Sequence, residues 1–133
     1  MPPAFEKRLL QTAVALFALI PVCAGLAGVV LGPDLARGTA ADVSLDSHFR
    51  YLSGLMLGIG LAFWSTVPSI ERHAGRFRLL TLIVFIGGLA RLGSLTEVGI
   101  RSMPMLGGLT MELITTPILC LWQARMANAF HGG

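Results

Sequence analysis

Four ionisable side chains lie inside otherwise apolar stretches of this sequence, and their types are the ones that could do chemistry. They are Arg50, Arg91, Glu97 and Glu112. A guanidinium presents a planar fork of donors that suits paired oxygen atoms, and a carboxylate presents matching acceptors. A charge costs about 2.5 to 3.5 kcal/mol at the centre of a membrane helix. We therefore expect these residues to pair with one another or to serve a ligand.

The chain around these charges is too apolar for a soluble domain. Of its 133 residues, 54% are hydrophobic and 13% are charged, whereas soluble domains carry about 25% charged residues. Four stretches are nearly free of charge, and each has the roughly 20 residues that cross about 30 Å of hydrocarbon as a helix. These are residues 9–31, 49–67, 79–100 and 105–124. The expected fold is all-α, an integral membrane antiparallel four-helix bundle forming one domain over residues 1–133.

Glycine and proline residues mark the ends of the first two stretches. Gly32 and Pro33 form a helix-ending pair after the first stretch, and Pro68 follows the second, where it removes a backbone donor. Pro21 and Pro117 fall inside the first and fourth stretches. We expect kinks at these two prolines, because neighbouring helices can satisfy the freed carbonyl groups.

Basic residues are distributed unevenly between the two ends of the predicted helices. If the N-terminus is cytoplasmic, the outer loops hold only Arg37 and Arg101, whereas six basic residues lie on the inner side. Those six are Lys7, Arg8, Arg72, Arg76, Arg78 and Arg125. Basic residues favour the cytoplasmic side, so we expect both termini there. This bias also explains the net charge of +3 without a nucleic-acid partner.

Three of the four charges are expected to meet at one depth in the outer half of the bundle. Counted from the outer helix ends at 1.5 Å per residue, Arg50 lies about 2 to 6 Å deep, Arg91 about 13 Å and Glu112 about 10 Å. The simplest arrangement pairs Arg91 with Glu112 and places Arg50 above them. Asp46 or Glu97 then lies near the outer mouth. We expect Ser94, one turn from Arg91, to belong to the same polar cluster.

The cluster is open to three interpretations. It is a buried salt bridge that sets helix register, or a polar pocket whose extra guanidinium holds a phosphate, a carboxylate or a quinone carbonyl. The third is a proton or ion path, using Glu112 and His48, or a contact with another subunit. His48 by itself is expected at a helix start near the interface, with a titrating or metal-binding role as the alternative. We expect no metal site and no cofactor, because no second histidine or cysteine lies at ligand spacing.

Small residues at helical spacing indicate where the helices pack. In a membrane, helices associate through close backbone contact at such residues. The spacing predicts packing at Gly28 on the first helix, Gly54 and Gly58 on the second, and Gly87 on the third. The Gly54 and Gly58 face could instead join two copies of the chain or dock it to another membrane protein.

Three segments of the sequence resemble a known family. They are Asp46-Ser47-His48-Phe49-Arg50-Tyr51-Leu52-Ser53-Gly54, Gly87-Gly88-Leu89-Ala90-Arg91-Leu92, and Glu112 with Pro117 and Trp122. The chain resembles the bacterial four-helix membrane proteins catalogued as domain of unknown function family 4345, over nearly its whole length. The resemblance implies a multi-pass inner-membrane protein whose shared polar positions match Asp46, His48, Arg50, Arg91 and Glu112. It implies no activity. A looser similarity to DoxX-like four-helix proteins, some of them linked to quinone redox systems, makes an accessory-subunit role an alternative.

These observations favour a non-enzymatic membrane protein that binds a lipid, quinone or similar amphiphile at the polar cluster. The alternative is an accessory or structural subunit of a larger membrane complex, in which the cluster is only a salt bridge. An enzyme acting on a lipid head group is less favoured, because no nucleophile with a partner base is recognisable. The expected partners are membrane lipids, with a homo-oligomer or larger complex left open.

Overall fold

The computed structural model describes residues 2–32, 43–98 and 103–131, and in these ranges every regular element is helical. The elements are α1 (Pro3–Leu31), α2 (Val43–Thr66), a 3-10 turn (Val67–Arg72), α3 (Ala74–Val98), α4 (Met103–Thr110), a π segment (Met111–Thr115) and α5 (Thr116–His131). The last three follow one another directly, so α4, the π segment and α5 form one continuous rod. The prediction of an all-α chain with four helices is confirmed.

Three of the helical stretches are long and apolar enough to cross a membrane. They are Pro3–Leu31, Asp46–Arg72 and Ala74–Ser94. The π segment divides the fourth rod, whose longer α-helical part, α5, has 16 residues. The helices extend beyond the apolar stretches at several ends, because polar residues can also form the backbone hydrogen bonds of a helix.

The predicted ends of the first two stretches have clear local causes. Helix α1 ends at Leu31, and Gly32 follows with φ of +69°, the left-handed conformation with which glycine commonly closes a helix. Helix α2 ends at Thr66, and the chain tightens into the 3-10 turn that contains Pro68. Inside the first stretch, α1 stays helical through Pro21.

The chain divides into two compact units, which are described separately. The hairpin unit is Thr12–Val67, and the terminal unit combines Met1–Gln11 with Pro68–Gly133. The hairpin unit therefore contains most of α1 and all of α2. The terminal unit contains the start of α1, nearly all of the 3-10 turn, α3 and the fourth rod.

In the hairpin unit, α1 and α2 approach closely at small residues. A Cβ atom built on Gly25 would lie 2.5 Å from the Leu57 backbone nitrogen, and one built on Gly60 would lie 2.6 Å from Val22 Cγ2. The Trp64 indole donates a hydrogen bond of 3.0 Å to the Ala15 carbonyl across the same seam. The two backbones are thus nearly in contact, which is the kind of packing through which membrane helices associate.

The glycines predicted for this seam behave differently from one another. Gly28 faces the Ser53 side chain so closely that a Cβ would collide with it. A Cβ on Gly54 would meet only Val29 Cγ2, at 3.8 Å, and one on Gly58 would meet no described atom within 4 Å. The α2 seam therefore runs through Ser53, Leu57 and Gly60, not through Gly54 and Gly58. One residue rotates the helix face by about 100°, which is enough to move the expected stripe off the contact.

The terminal unit has a small apolar core. Its fully or almost fully buried side chains come from the start of α1, the 3-10 turn, α3 and α5, and include Leu10, Ile70, Phe77 and Met126. Gln123 is also fully buried and donates a 2.7 Å hydrogen bond to the Ile70 carbonyl. This bond fixes α5 against the 3-10 turn, because a buried amide without partners is costly.

Large apolar side chains are exposed along the helices. Among the most exposed are Leu16, Val30, Tyr51, Leu79 and Leu121. Helices that are apolar on their outer faces as well as their inner faces are typical of a bundle surrounded by lipid.

Candidate functional site

Arg91 of α3 and Glu112 of the π segment form an ion pair in the terminal unit. Arg91 Nη2 lies 3.2 Å from Glu112 Oε1. The Arg91 side chain is 32% exposed and that of Glu112 is 23% exposed, so the pair is partly shielded but reachable. The other carboxylate oxygen, Oε2, is buried and has no hydrogen-bond partner among the described residues. The pair therefore keeps an unfilled acceptor next to a guanidinium.

Two glycines make room for this ion pair. Gly88 lies one turn before Arg91 on α3, and a Cβ there would come within 2.9 Å of Glu112 Cβ. Gly108 lies one turn before Glu112 on α4, and a Cβ there would come within 2.7 Å of Arg91 Nη1. Each charged side chain thus passes over a glycine of the opposite rod. The predicted packing residue Gly87 has no described atom within 4 Å of a built Cβ, so the contact falls one residue later, at Gly88.

The π segment places Glu112 and has a local cause in the sequence. Pro117 lacks a backbone N–H and cannot continue the regular ladder of α-helical hydrogen bonds. Upstream of it the helix widens, and the Thr116 backbone N–H bonds to the Met111 carbonyl, five residues before it. The Thr116 hydroxyl donates to the same carbonyl at 2.8 Å. Single π turns of this kind often occur at functional sites.

Arg50 has its own partners in the hairpin unit. Its Nη1 donates to the Val29 carbonyl at 2.7 Å and to the Val30 carbonyl at 3.2 Å. Its Nε bonds to Asp46 Oδ2 at 2.9 Å. Because the last carbonyls of a helix lack intrahelical donors and carry partial negative charge, Arg50 closes the end of α1. Gly32 packs tightly here, since a Cβ on it would lie 2.7 Å from Arg50 Nη2.

The residues expected in one polar cluster therefore fall into separate groups. Arg91 and Glu112 meet in the terminal unit, whereas Asp46 and Arg50 meet in the hairpin unit. Ser94 and His48 are exposed. The side chain of Glu97 lies outside the described residues. Among the residues that the structure describes, no group of His, Cys, Asp or Glu is arranged to hold a metal ion.

Sequence reasoning missed a second polar region in the terminal unit. Glu6 Oε1 accepts hydrogen bonds from Trp122 Nε1 at 3.0 Å and from Arg125 Nη2 at 2.7 Å. Lys7 Nζ lies 3.0 Å from Glu71 Oε2 and 5.6 Å from the centre of the Phe130 ring. These contacts tie the start of α1 to the 3-10 turn and to α5. In the sequence, Glu6 is followed by Lys7 and Glu71 by Arg72, and Arg125 lies far along the chain. These charges do not by themselves indicate which residues are in contact.

One family matches most of the chain. Its description is a domain of unknown function (DUF4345), and it covers residues 9–123. The matched range includes the Arg91 and Glu112 pair, both glycines that accommodate it, and the Asp46 and Arg50 pair. No curated protein and no solved structure matches the chain.

Proposed function

The chain belongs to this family of unknown function, DUF4345, and from that premise we propose that it is an integral membrane protein without enzymatic activity. Its proposed role is to bind an amphiphile, either a lipid or a quinone-like molecule, at Arg91 and Glu112. Its proposed location is the bacterial inner membrane, with both termini in the cytoplasm. The observation that carries the binding proposal is the buried, unpartnered Oε2 of Glu112 beside a partly exposed guanidinium.

The membrane placement is supported by the helices themselves. Three helical stretches have the length and composition to cross a bilayer, and large apolar side chains cover their outer surfaces. Exposed apolar area on this scale is unfavourable in water but neutral in lipid. The basic residues beside the helix ends support the cytoplasmic termini.

The chemistry of the pair supports a ligand that carries both an oxygen acceptor and a hydroxyl donor. Arg91 has five N–H donors and directs one nitrogen at Glu112. The remaining donors suit a carbonyl or phosphate oxygen, and Glu112 Oε2 suits a hydroxyl. A quinol meets this description, because its hydroxyl groups on an apolar body both donate and accept hydrogen bonds, whereas its quinone form keeps only the carbonyl acceptors. A glycerophospholipid with a free hydroxyl carries both groups at once. An amphiphile lying between lipid and this pair would place a hydroxyl beside the Glu112 side chain, which is 23% exposed. A small rotation of the carboxylate would then give the buried acceptor a partner, and an unpartnered buried acceptor is costly.

The test is the content of bound amphiphile after extraction in a mild detergent. Native mass spectrometry and chromatography of organic extracts would compare the wild type with Arg91→Gln and Glu112→Gln. We expect both variants to lose most of a co-purifying lipid or quinone while remaining helical by circular dichroism. Arg50→Gln is the matched control, because it removes the same charge from a guanidinium that lies in the hairpin unit. Identical ligand content in all four proteins would refute the proposal.

A second candidate function is that of a structural subunit in a larger membrane complex. The observation that favours it is Gly58, whose open surroundings on α2 leave a small-residue surface beside Gly54 available to another helix. In this case the Arg91 and Glu112 pair only sets helix register. Purification in mild detergent should then return a second protein with the chain, and Gly58→Leu should release it. Recovery of the chain alone or as a homo-oligomer would exclude this candidate.

A further inference from the structure

One end of the terminal unit carries most of the positive charge of the chain. We call it the basic end and define it by six residues: Lys7, Arg8, Arg72, Arg76, Arg78 and Arg125. Side-chain contacts bring its segments together, since Lys7 pairs with Glu71, Arg125 pairs with Glu6, and Gln123 bonds to the Ile70 carbonyl. Arg76 and Arg78 follow in the first turns of α3. The start of α1, the 3-10 turn, the start of α3 and the end of α5 therefore share one charged surface.

The two acidic residues of this end are turned inward. The side chains of Glu6 and Glu71 are 13% and 14% exposed, and each is already paired with a cation of the basic end. In contrast, the Arg125 side chain is 77% exposed, and Arg8, Arg72, Arg76 and Arg78 are all exposed. The positive charge thus points outward. Membrane orientation depends only on how many basic residues lie on each side of the membrane. It does not require the carboxylates to turn inward and the arginines to be exposed.

A groove beside Arg125 has an amphiphilic lining. It is formed by Glu6, Leu121, Trp122 and Arg125. Leu121 is 73% exposed, and the Trp122 indole is held in place by its hydrogen bond to Glu6. The lining brings a guanidinium together with a leucine and an indole, and these groups match the two parts of a phospholipid, namely its phosphate and the first carbons of its acyl chains.

From these observations we infer that the basic end is a binding surface for anionic phospholipid head groups, with the groove at Trp122 holding the adjoining acyl segment. Clusters of four to eight basic residues beside membrane helices recognise anionic lipids in this way. The surface lies far from the site proposed above, because Arg78 and Arg91 are 13 positions apart, or about 20 Å along α3. The inference rests on the proposed membrane placement, but it does not depend on a ligand at Arg91.

The experiment uses Trp122 as a local reporter. The chain has two tryptophans, so Trp64→Phe leaves Trp122 as the single tryptophan. The full chain in neutral detergent is titrated with brominated phosphatidylglycerol or with brominated phosphatidylcholine of the same acyl chains. We expect phosphatidylglycerol to quench Trp122 at concentrations at least about tenfold lower, because each basic residue near an anionic surface contributes roughly fivefold in affinity.

Two variants in this background test the assignment to the exposed arginines. Replacing Arg72, Arg76 and Arg78 by Gln should reduce the preference for phosphatidylglycerol to about twofold or less. The control, Arg50→Gln, removes a guanidinium that lies in the hairpin unit and outside the basic end, so the preference should persist. If the triple variant does not fold, Arg78→Gln and Arg78→Lys replace it, with a partial loss expected only for Gln.

Several outcomes would overturn the inference. These are equal quenching by the two lipids, an unchanged preference in the triple variant, and a preference lost in the control. Displacement of phosphatidylglycerol by inorganic phosphate would show that the surface binds phosphate and not a lipid. Displacement by polyglutamate at equal charge would indicate an acidic protein partner.

Failure of the proposed function would be recognised separately. Arg91→Gln should keep the phosphatidylglycerol preference whether or not an amphiphile binds at Glu112. A chain that stays in solution without detergent would refute the membrane placement, which the quenching titration does not test.

Discussion

At the level of single residues, the ion pair of Arg91 and Glu112 is set by its immediate neighbours as much as by its own charges. The two side chains can approach because Gly88 and Gly108 leave space where any other residue would place a Cβ atom. Burial of one carboxylate oxygen makes the pair sensitive to removal of either partner, because an unpaired charge would remain in an apolar environment.

We predict that the two members of this pair are energetically coupled. Arg91→Gln and Glu112→Gln should each lower the free energy of unfolding by about 1 to 3 kcal/mol, less than for a fully buried pair because the remaining partly exposed charge can reorient toward the polar membrane surface. The double variant should recover part of this loss, since two neutral amides leave no unpaired charge. The measurement is a double-mutant cycle by denaturation in detergent micelles, followed by circular dichroism. Strictly additive losses would show that the two side chains do not interact.

A second prediction concerns the glycine beneath the guanidinium. Gly107→Ala should stabilise the chain by up to about 1 kcal/mol, because alanine is the better helix former and no described atom lies within 4 Å of the added Cβ. Gly108→Ala adds the same methyl group 2.7 Å from Arg91 Nη1, so it should push the guanidinium aside and forfeit this gain. Thermal unfolding of the two variants side by side gives the answer. Equal stabilisation by both would mean that Arg91 does not lie over Gly108.

At the level of secondary-structure elements, local backbone features decide where the charged side chains are found. The π segment displays Glu112 upstream of Pro117, and Arg50 is engaged by the carbonyl groups at the end of α1. An arginine that closes a helix end has fewer donors left for a ligand. This assignment explains why the proposed binding site contains Arg91 and not Arg50.

We predict that the seam between α1 and α2 is sensitive at Gly25 and insensitive at Gly58. Gly25→Ala should destabilise the chain by about 1 to 3 kcal/mol, because the methyl group would overlap the Leu57 backbone and no side-chain rotation can relieve it. Gly58→Ala should be neutral or mildly stabilising. Denaturant unfolding of the two variants in micelles tests this. A larger loss of stability from Gly58→Ala than from Gly25→Ala would indicate that the α2 surface around Gly58 is covered by another helix, as the subunit hypothesis requires.

At the level of the whole molecule, the surface of the chain has two distinct kinds of region. Exposed leucines and other large apolar residues cover the helices, whereas exposed arginines gather at the basic end of the terminal unit. An apolar surface adjoining a charged end is typical of helices whose apolar part lies in hydrocarbon and whose basic ends lie at the cytoplasmic interface.

This distribution predicts the topology of the chain in a cell. The protein should remain with the membrane fraction after extraction at alkaline pH, and reporter domains fused to either terminus should both be active on the cytoplasmic side. Replacing Arg72, Arg76 and Arg78 by Gln should weaken this orientation in a fraction of the molecules, because it removes half of the six inner basic residues. A C-terminal reporter active only on the outer side would contradict the four crossings that the sequence predicts.

Much of the fold could be predicted from the sequence because it depends on local properties. Runs of about 20 apolar residues specify helices of membrane length, and Gly32 and Pro68 end helices by their own backbone chemistry. The opposite charges of Arg91 and Glu112 at similar depth also made their pairing predictable. Other features depend on how helices are rotated about their axes, and a step of one residue turns a helix by about 100°. Only the tertiary structure could therefore decide that Gly88 and Gly60 line the seams while Gly87 and Gly58 do not, and that Arg50 serves the end of α1.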